Sequence, residues 1–309
     1  MKKTLLIFGS EGFVGPYLTN EFFNVGYEVF GADVLSTSHH LDDIHYQQID
    51  ILNFDNVNDI IKRINPSHII NLAAISSVGQ SWKNPQLTIQ INVNGSLNIL
   101  EAAKELKEKP SILFVGSSEE YKATNKPMDE KTEIDANNPY GISKVTQERI
   151  ASLYRERYGM KIYCVRPFNH TGIGQRDNFV LPSFCQQVAN IEKSGVAGKL
   201  YVGNLEVYRD FSDVRDIVRA YRLVVESGDD SFIYNIGSGY AYSLKDLLKY
   251  IISLSAQKIE VVIDENKYRP VDTPYICCDY TLINNNLGWK PNYSIKETLK
   301  IMFEYYVKQ

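Results

Sequence analysis

The 309 residues carry 33 Lys and Arg against 37 Asp and Glu, a net charge of −4 with the signs interleaved. That balance argues against a nucleic-acid partner, and the length suffices for one large core or two closely joined ones. No apolar run approaches the ~18 residues of a membrane helix, and the stretch after Lys2-Lys3 meets Gly9 too early for a signal peptide.

The four cysteines (Cys164, Cys185, Cys277, Cys278) form no CxxC pair, and two of them are adjacent. This spacing suits neither a disulfide framework nor a zinc site and points to a reducing, cytoplasmic setting. No metal is expected. His39-His40 and His45 lie in a polar loop without a carboxylate–histidine array, and His170 reads as a structural hydrogen-bonding residue.

Apolar runs at Leu5–Phe8, Tyr27–Ala32, His68–Leu72, Ile112–Val115 and Ile162–Val165 alternate with amphipathic, helix-length stretches. This is the rhythm of a doubly wound parallel sheet with helices on both faces, an α/β fold of Rossmann type. The first run leads into Gly9-Ser10-Glu11-Gly12-Phe13-Val14-Gly15, a GxxGxxG that opens a helix. Glycines there let the backbone turn tightly and approach a pyrophosphate, whose charge is met by helix N-terminal N–H groups.

The second strand ends at Asp33, 18 residues beyond Gly15. An acid at that point accepts hydrogen bonds from an adenosine ribose and repels a 2′-phosphate, so NAD(H) is expected over NADP(H). A strand-end turn residue is the structural alternative. Asp50-Ile51 ends the third strand, and Leu72-Ala73-Ala74 ends another with residues small enough to approach a cofactor; packing explains either equally well.

Thr88 to Leu106 and Pro139 to Tyr158 each carry helical apolar spacing and predict long helices. Between them, Gly116-Ser117-Ser118-Glu119-Glu120-Tyr121 follows a strand directly, at the carboxyl edge where such sheets bind ligands. At the start of the second helix Tyr140 and Lys144 stand four apart on one face. An ammonium beside a phenol favours tyrosinate, lowering a pKa of about 10 toward working pH, so the pair can exchange a proton with a hydroxyl or ketone while hydride moves.

After Arg166 the rhythm breaks into loop-rich sequence with helical patterns near Val214–Val225 and Leu244–Ile252, which implies a smaller second lobe. The expected division is 1–168 plus about 213–236 for the dinucleotide domain and 169–212 plus 237–309 for an α/β substrate lobe. With no linker or repeat, a tight interface between them is expected.

The GxxGxxG, the Ser117-to-Tyr121 segment and YxxxK, in this order, resemble the extended short-chain dehydrogenase/reductases over nearly the whole chain. Phe13-Val14-Gly15, Ala73-Ala74-Ile75-Ser76-Ser77-Val78, Phe168-Asn169-His170 and Gly203-Asn204-Leu205-Glu206 through Arg209-Asp210-Phe211 are similar to the branch that reduces GDP-linked 4-keto-6-deoxymannose. The resemblance implies a nucleotide-sugar 4-ketoreductase, with Ser117 hydrogen-bonding the reacting oxygen, Tyr140 as acid/base and Lys144 holding ribose and tyrosine. Phe13, Val14, Ala73 and Ala74 join Gly9, Gly12, Gly15, Asp33, Asp50 and Ile51 as cofactor residues.

It further implies that Ser76, Ser118, Asn169, Asn204, Arg209 and Arg269 meet the substrate, the arginines taking the phosphates as planar forks of donors. The Arg166 to His170 segment lines the same pocket, Val180-Leu181-Pro182 starts a helix over the base, and the two long helices form a homodimer. Glu119, two before Tyr121, matches the base of related 4,6-dehydratases, which keeps dehydration or epimerisation with tightly bound NAD open. Members that use NADPH carry a basic residue near the Asp33 position, a departure in this chain that supports NADH or a closed hydride cycle. A catalytically idle nucleotide-sensing or interaction subunit is the reading from another class, and the intact Ser117, Tyr140 and Lys144 set argues against it.

Overall fold

The computed structural model describes residues 3–38, 45–227, 229–268 and 273–309. The chain opens with β1 (Thr4–Phe8), α1 (Gly15–Phe23), β2 (Glu28–Asp33), β3 (His45–Gln48), α2 (Phe54–Ile64) and β4 (His68–Asn71). Then come α3 (Val78–Lys83), α4 (Pro85–Ile89), a π-helical turn (Gln90–Asn94), α5 (Gly95–Lys104), β5 (Ser111–Val115), a 3-10 turn (Ser118–Glu120), α6 (Pro139–Tyr158) and β6 (Ile162–Pro167). The remainder holds β7 (Asn169–Thr171), α7 (Val180–Ser194), β8 (Gly198–Val202), β9 (Tyr208–Asp213), α8 (Val214–Ser227), β10 (Ile233–Ile236), β11 (Ala241–Ser243), α9 (Leu244–Ile252), β12 (Ile259–Ile263), β13 (Tyr275–Ile276), α10 (Thr281–Leu287) and α11 (Ile295–Lys308).

Among the described residues, seven strands make one parallel sheet in the order β10-β6-β5-β4-β1-β2-β3. Its central strands are buried on both faces, which is why they read as continuous apolar runs. Leu5 and Ile7 of β1 pack with Leu18 and Phe22 of α1 and Ile217 and Tyr221 of α8. Leu6 and Phe8 point the other way, onto Val57 and Ile61 of α2, Ile99 and Leu100 of α5 and Ala151 of α6. Each such side chain contributes roughly 1.5–3 kcal/mol by leaving water.

Strand order reverses between β1 and β4, so their carboxyl ends open a crevice in which this architecture binds ligands. The GxxGxxG and Leu72-Ala73-Ala74 lie at those two ends.

Beyond Pro167 the chain builds a second layer. β11, β9 and β13 pair side by side with β7 also on β9, while β8 and β12 pair separately. Leu181, Phe184 and Val188 of α7, Leu247 and Ile251 of α9, and Leu299 and Phe303 of α11 form its own core. α8 and β10 return to the large sheet.

The expected single helix from Thr88 to Leu106 is corrected here. It is α4, the π-helical turn and α5 in succession, ending at Lys104. A π-turn admits an extra residue, and the polar side chain it carries inward is Asn92, fully buried and bonded outside its own helix. Gly95 is required just after it, because a Cβ there would sit 2.8 Å from Ile51 Cγ2.

Candidate active site

The glycine loop is shaped by close backbone contact. Gly9 has φ +78°, and a Cβ on it would lie 2.5 Å from the Ala73 nitrogen; a Cβ on Gly15 would lie 1.8 Å from the Ser10 carbonyl oxygen. Gly12 N–H donates to Gly9 O at 3.2 Å and Gly15 N–H to Gly12 O at 3.0 Å, completing the turn. No side chain caps the start of α1, so its first N–H groups are left for an anion. The fit to a dinucleotide pyrophosphate is therefore good: a cradle that any side chain would fill, at a helix start, at the switch point of the sheet.

Asp33 ends β2 beside this loop. Its Oδ2 accepts the Glu11 N–H at 3.1 Å and its Oδ1 the Leu35 N–H at 3.4 Å. Glu11 Oε1 accepts from Ser38 Oγ at 3.0 Å, so two acidic side chains line the same edge. Ala73 and Ala74 are half-buried at the end of β4, with Ala73 N–H donating to Asn71 Oδ1 at 3.1 Å. Phe13 and Val14 pack onto the core beneath the loop.

Asp50 and Ile51 lie just beyond β3. The Ile51 side chain is core, packed among Leu6, Val57 and Ile99. Asp50 closes a local turn, its Oδ1 accepting Leu52 N–H at 2.9 Å.

At the carboxyl end of β5, Ser117 starts the 3-10 turn and its Oγ accepts Glu119 N–H at 3.1 Å. Asn138 caps α6, accepting Gly141 N–H at 2.9 Å, and so sets the first turn that carries Tyr140. Tyr140, in that first turn, is buried beside Ser117, whose hydroxyl acts on the phenol. Lys144 Nζ donates to Val115 O at 2.7 Å and to Gln147 Oε1 at 3.2 Å, and lies 5.9 Å from the centre of the Tyr140 ring. The three residues predicted far apart in sequence are thus brought together, all buried.

The electrostatics correct the expectation of a tyrosinate. Burial raises the Tyr140 phenol above its usual range, with the Ser117 hydroxyl opposing it and Glu120 and Glu119 adding to it. Burial pushes the Lys144 ammonium down to about 8, and Glu120 partly restores it. A neutral phenol at neutral pH is a proton donor, the state that reduction of a ketone requires.

A polar chain behind this trio went unread in the sequence. Gln147 Nε2 donates to Ser96 Oγ at 2.6 Å, and Asn71 Nδ2 to the same oxygen at 3.2 Å. Asn92 takes Ile75 N–H at 2.9 Å on Oδ1 and gives Nδ2 to Ser143 Oγ at 2.8 Å. Gln147 three after Lys144 was a readable same-face signal; Asn92 inside an apolar helical run was another.

On the substrate side, Ser118 is buried and Ser76 exposed. Glu119 Oε2 accepts from Asn138 Nδ2 at 3.1 Å. Asn169 Nδ2 donates to Asp210 O at 3.2 Å, and Asn204 Oδ1 accepts Glu206 N–H at 2.9 Å. Arg209 is buried, with Nη1 on Tyr208 O at 2.9 Å. Arg269 lies outside the described residues, as do His39 and His40.

Arg166 is not a pocket residue as expected. It is buried in an ion pair with both Glu148 oxygens, 3.4 Å from Glu120 Oε2 and 2.9 Å from the Tyr121 hydroxyl. A guanidinium so occupied has no fork left for phosphate. His170 Nδ1 lies 3.1 Å from Phe168 O and its ring stacks on Phe13, so it joins the glycine loop to β7. The four cysteines are buried and free. Among the described residues no three His, Cys, Asp or Glu side chains cluster to hold a metal, and no helix is long and apolar enough to cross a membrane.

The family model described as GDP-mannose 4,6 dehydratase matches residues 6–302. A GDP-6-deoxy-D-mannose reductase of Pseudomonas aeruginosa is 28% identical over 97% of this chain and 96% of its own. The structure of RMD from Pseudomonas aeruginosa complexed with NADPH superposes with a TM-score of 0.85 at 27% identity, covering 99% of both chains. A UDP-glucose 4-epimerase of Thermotoga maritima, solved with UDP-glucose, gives 0.89 at 27% identity over 99% of both.

Proposed function

We propose that this chain, which belongs to the GDP-mannose 4,6 dehydratase family, reduces a GDP-linked 4-keto-6-deoxy hexose at C4 with a nicotinamide coenzyme. The observation that carries the reading is the buried trio of Ser117, Tyr140 and Lys144 at the carboxyl end of β5, with the Lys144 ammonium 5.9 Å from the centre of the Tyr140 ring. Similarity to the Pseudomonas reductase along the whole chain supports the same substrate class.

In this mechanism Ser117 Oγ hydrogen-bonds the sugar's carbonyl oxygen and Tyr140 delivers the proton to it. Lys144 keeps positive charge beside the phenol, so that the oxygen losing the proton does so next to an ammonium. When bound, the nicotinamide supplies the hydride; Gly9, Gly12 and Gly15 with the start of α1 hold its pyrophosphate, and Asp33 faces its adenosine ribose. Ser76, Ser118, Asn169, Asn204, Arg209 and Arg269 complete the proposed substrate contacts. The two acids at the ribose edge, Glu11 and Asp33, support NAD(H) over NADP(H), although a similar structure holds NADPH.

The proposed dinucleotide lobe is 1–168 plus about 213–236, with 169–212 and 237–309 as the sugar-nucleotide lobe. Exposed Ile89, Ile142 and Leu153, in the stretches Thr88 to Leu106 and Pro139 to Tyr158, support a homodimer through these two stretches. Four free, buried thiols support a cytoplasmic setting.

A 4,6-dehydratase is the second reading, favoured by Glu119, which Asn138 orients next to the trio. Coenzyme oxidation separates the two. A fall in NADH or NADPH absorbance that depends on GDP-4-keto-6-deoxymannose supports the reductase; conversion of GDP-mannose without added reduced coenzyme supports the dehydratase.

A further inference from the structure

Directly beneath the catalytic trio lies a carboxyl group that the proposed mechanism does not use. Glu120 is fully buried; its Oε1 accepts the Ser117 N–H at 2.7 Å, and its Oε2 has no hydrogen-bond partner. The nearest cation, Arg166, is already neutralised by Glu148, whose two oxygens take its Nε and Nη2, leaving Glu120 Oε2 a 3.4 Å ion-pair contact. Space for the carboxyl is kept by Gly116, where a Cβ would fall 2.5 Å from Glu120 Oε1.

Buried carboxylates are rare unless fully paired, because an uncompensated charge in the interior is costly. The charged groups that act on Glu120 are one further carboxylate, Glu148, and two cations, Arg166 and Lys144. Arg166 belongs to Glu148 by geometry. The remaining pair is Glu120 and Lys144, which are held on either side of Gly116, Glu120 by the Ser117 N–H at 2.7 Å and Lys144 by the Val115 carbonyl at 2.7 Å, and act on one another through space.

We infer that Glu120 is a positioning residue of the active site: it orients Ser117 through the backbone N–H and, once ionised, supplies the negative field that holds the Lys144 proton on. The inference rests on the proposed roles of Ser117, Tyr140 and Lys144. The groups facing Glu120 agree with it. From α6 come Lys144, Glu148 and Tyr140; from β6, Arg166 and Cys164.

Burial and Glu148 raise the Glu120 carboxyl to about 8, while burial lowers Lys144 to about 8. Two groups so close in affinity and in space release protons in coupled steps. As pH rises, Glu120 ionises and its new charge holds the Lys144 proton on. The sign follows: removing that charge lets Lys144 lose its proton at lower pH, so the alkaline limb of the activity profile moves down.

The test is the pH profile of kcat/KM for the full-length protein and for Glu120→Gln, Glu120→Leu and Tyr140→Phe. Gln keeps an acceptor for the Ser117 N–H without the charge, and Leu removes both. The expected result is an alkaline limb displaced downward by about half a unit or more in both Glu120 variants, with a larger fall in kcat for Leu than for Gln. A limb at the wild-type pH in whichever Glu120 variants fold overturns the inference. Turnover that survives in Tyr140→Phe overturns instead the reading of the site on which it rests.

Discussion

The Lys144 ammonium donates to the Val115 carbonyl at 2.7 Å, tying the helix that carries Tyr140 to the strand whose carboxyl end carries Ser117. One bond therefore sets the distance between the two groups that would meet the substrate oxygen. Tyr140→Phe removes the proton donor without changing the ring. Turnover is expected to fall by about 10²–10⁴-fold, measured at saturating coenzyme, with coenzyme binding retained by fluorescence titration.

The glycine loop leaves no room for a methyl group at Gly15, where the added carbon would overlap the Ser10 carbonyl. Gly15→Ala forces β1 and α1 apart and is expected to cost about 3 kcal/mol or more, read as a lower denaturant midpoint. Gly26, with open space around it, is the control: it has φ +89° but nothing within 4 Å. Gly26→Ala bears backbone strain alone and leaves coenzyme affinity unchanged.

Asp33 and Glu11 put two acidic groups beside the glycine loop, where the proposed coenzyme's ribose would lie. Asp33→Ala is expected to raise the ratio of kcat/KM for NADPH over NADH by about tenfold, equivalent to about 1.4 kcal/mol. An unchanged ratio removes Asp33 as the basis of coenzyme choice.

His68 is buried at the start of β4, beside Ser67 Oγ and edge-on to Tyr27. Burial lowers it from 6.5 to about 4, helped by Lys3. The unfolded chain then takes up a proton between these values and the folded one does not, so stability is present above pH 6.5 and lost as pH falls toward 4. The loss is on the order of 2–3 kcal/mol, and His68→Gln is expected to flatten it in urea titrations at pH 7 and pH 5.

What the sequence disclosed follows from which interactions are local. The β1 glycine loop, Asp33 and the Tyr140/Lys144 pair were legible because turn chemistry and a four-residue helical spacing are written in adjacent letters. The sheet was legible because Leu5–Phe8 or Ile162–Val165, buried on both faces, carry no alternation to confuse with an exposed strand. Asn92 and the π-turn were missed because their cause is the Ile75 backbone and Ser143, far away in the chain. The ion pairing of Arg166 is hidden for the same reason: its partners Glu120 and Glu148 lie on other elements, and only the fold reveals that its charge is already taken. The upward shift of the Tyr140 phenol is likewise absent from the sequence, because its first cause is burial by elements far away in the chain.

The measurement that tests the central claim most directly follows the hydride. With NADH deuterated at the transferable position and GDP-4-keto-6-deoxymannose as substrate, the account predicts a product that has gained deuterium at C4 and a proton on the C4 oxygen, found by mass spectrometry and proton NMR. GDP-mannose losing water with no deuterium taken up, while the keto sugar stays unreduced, would contradict it.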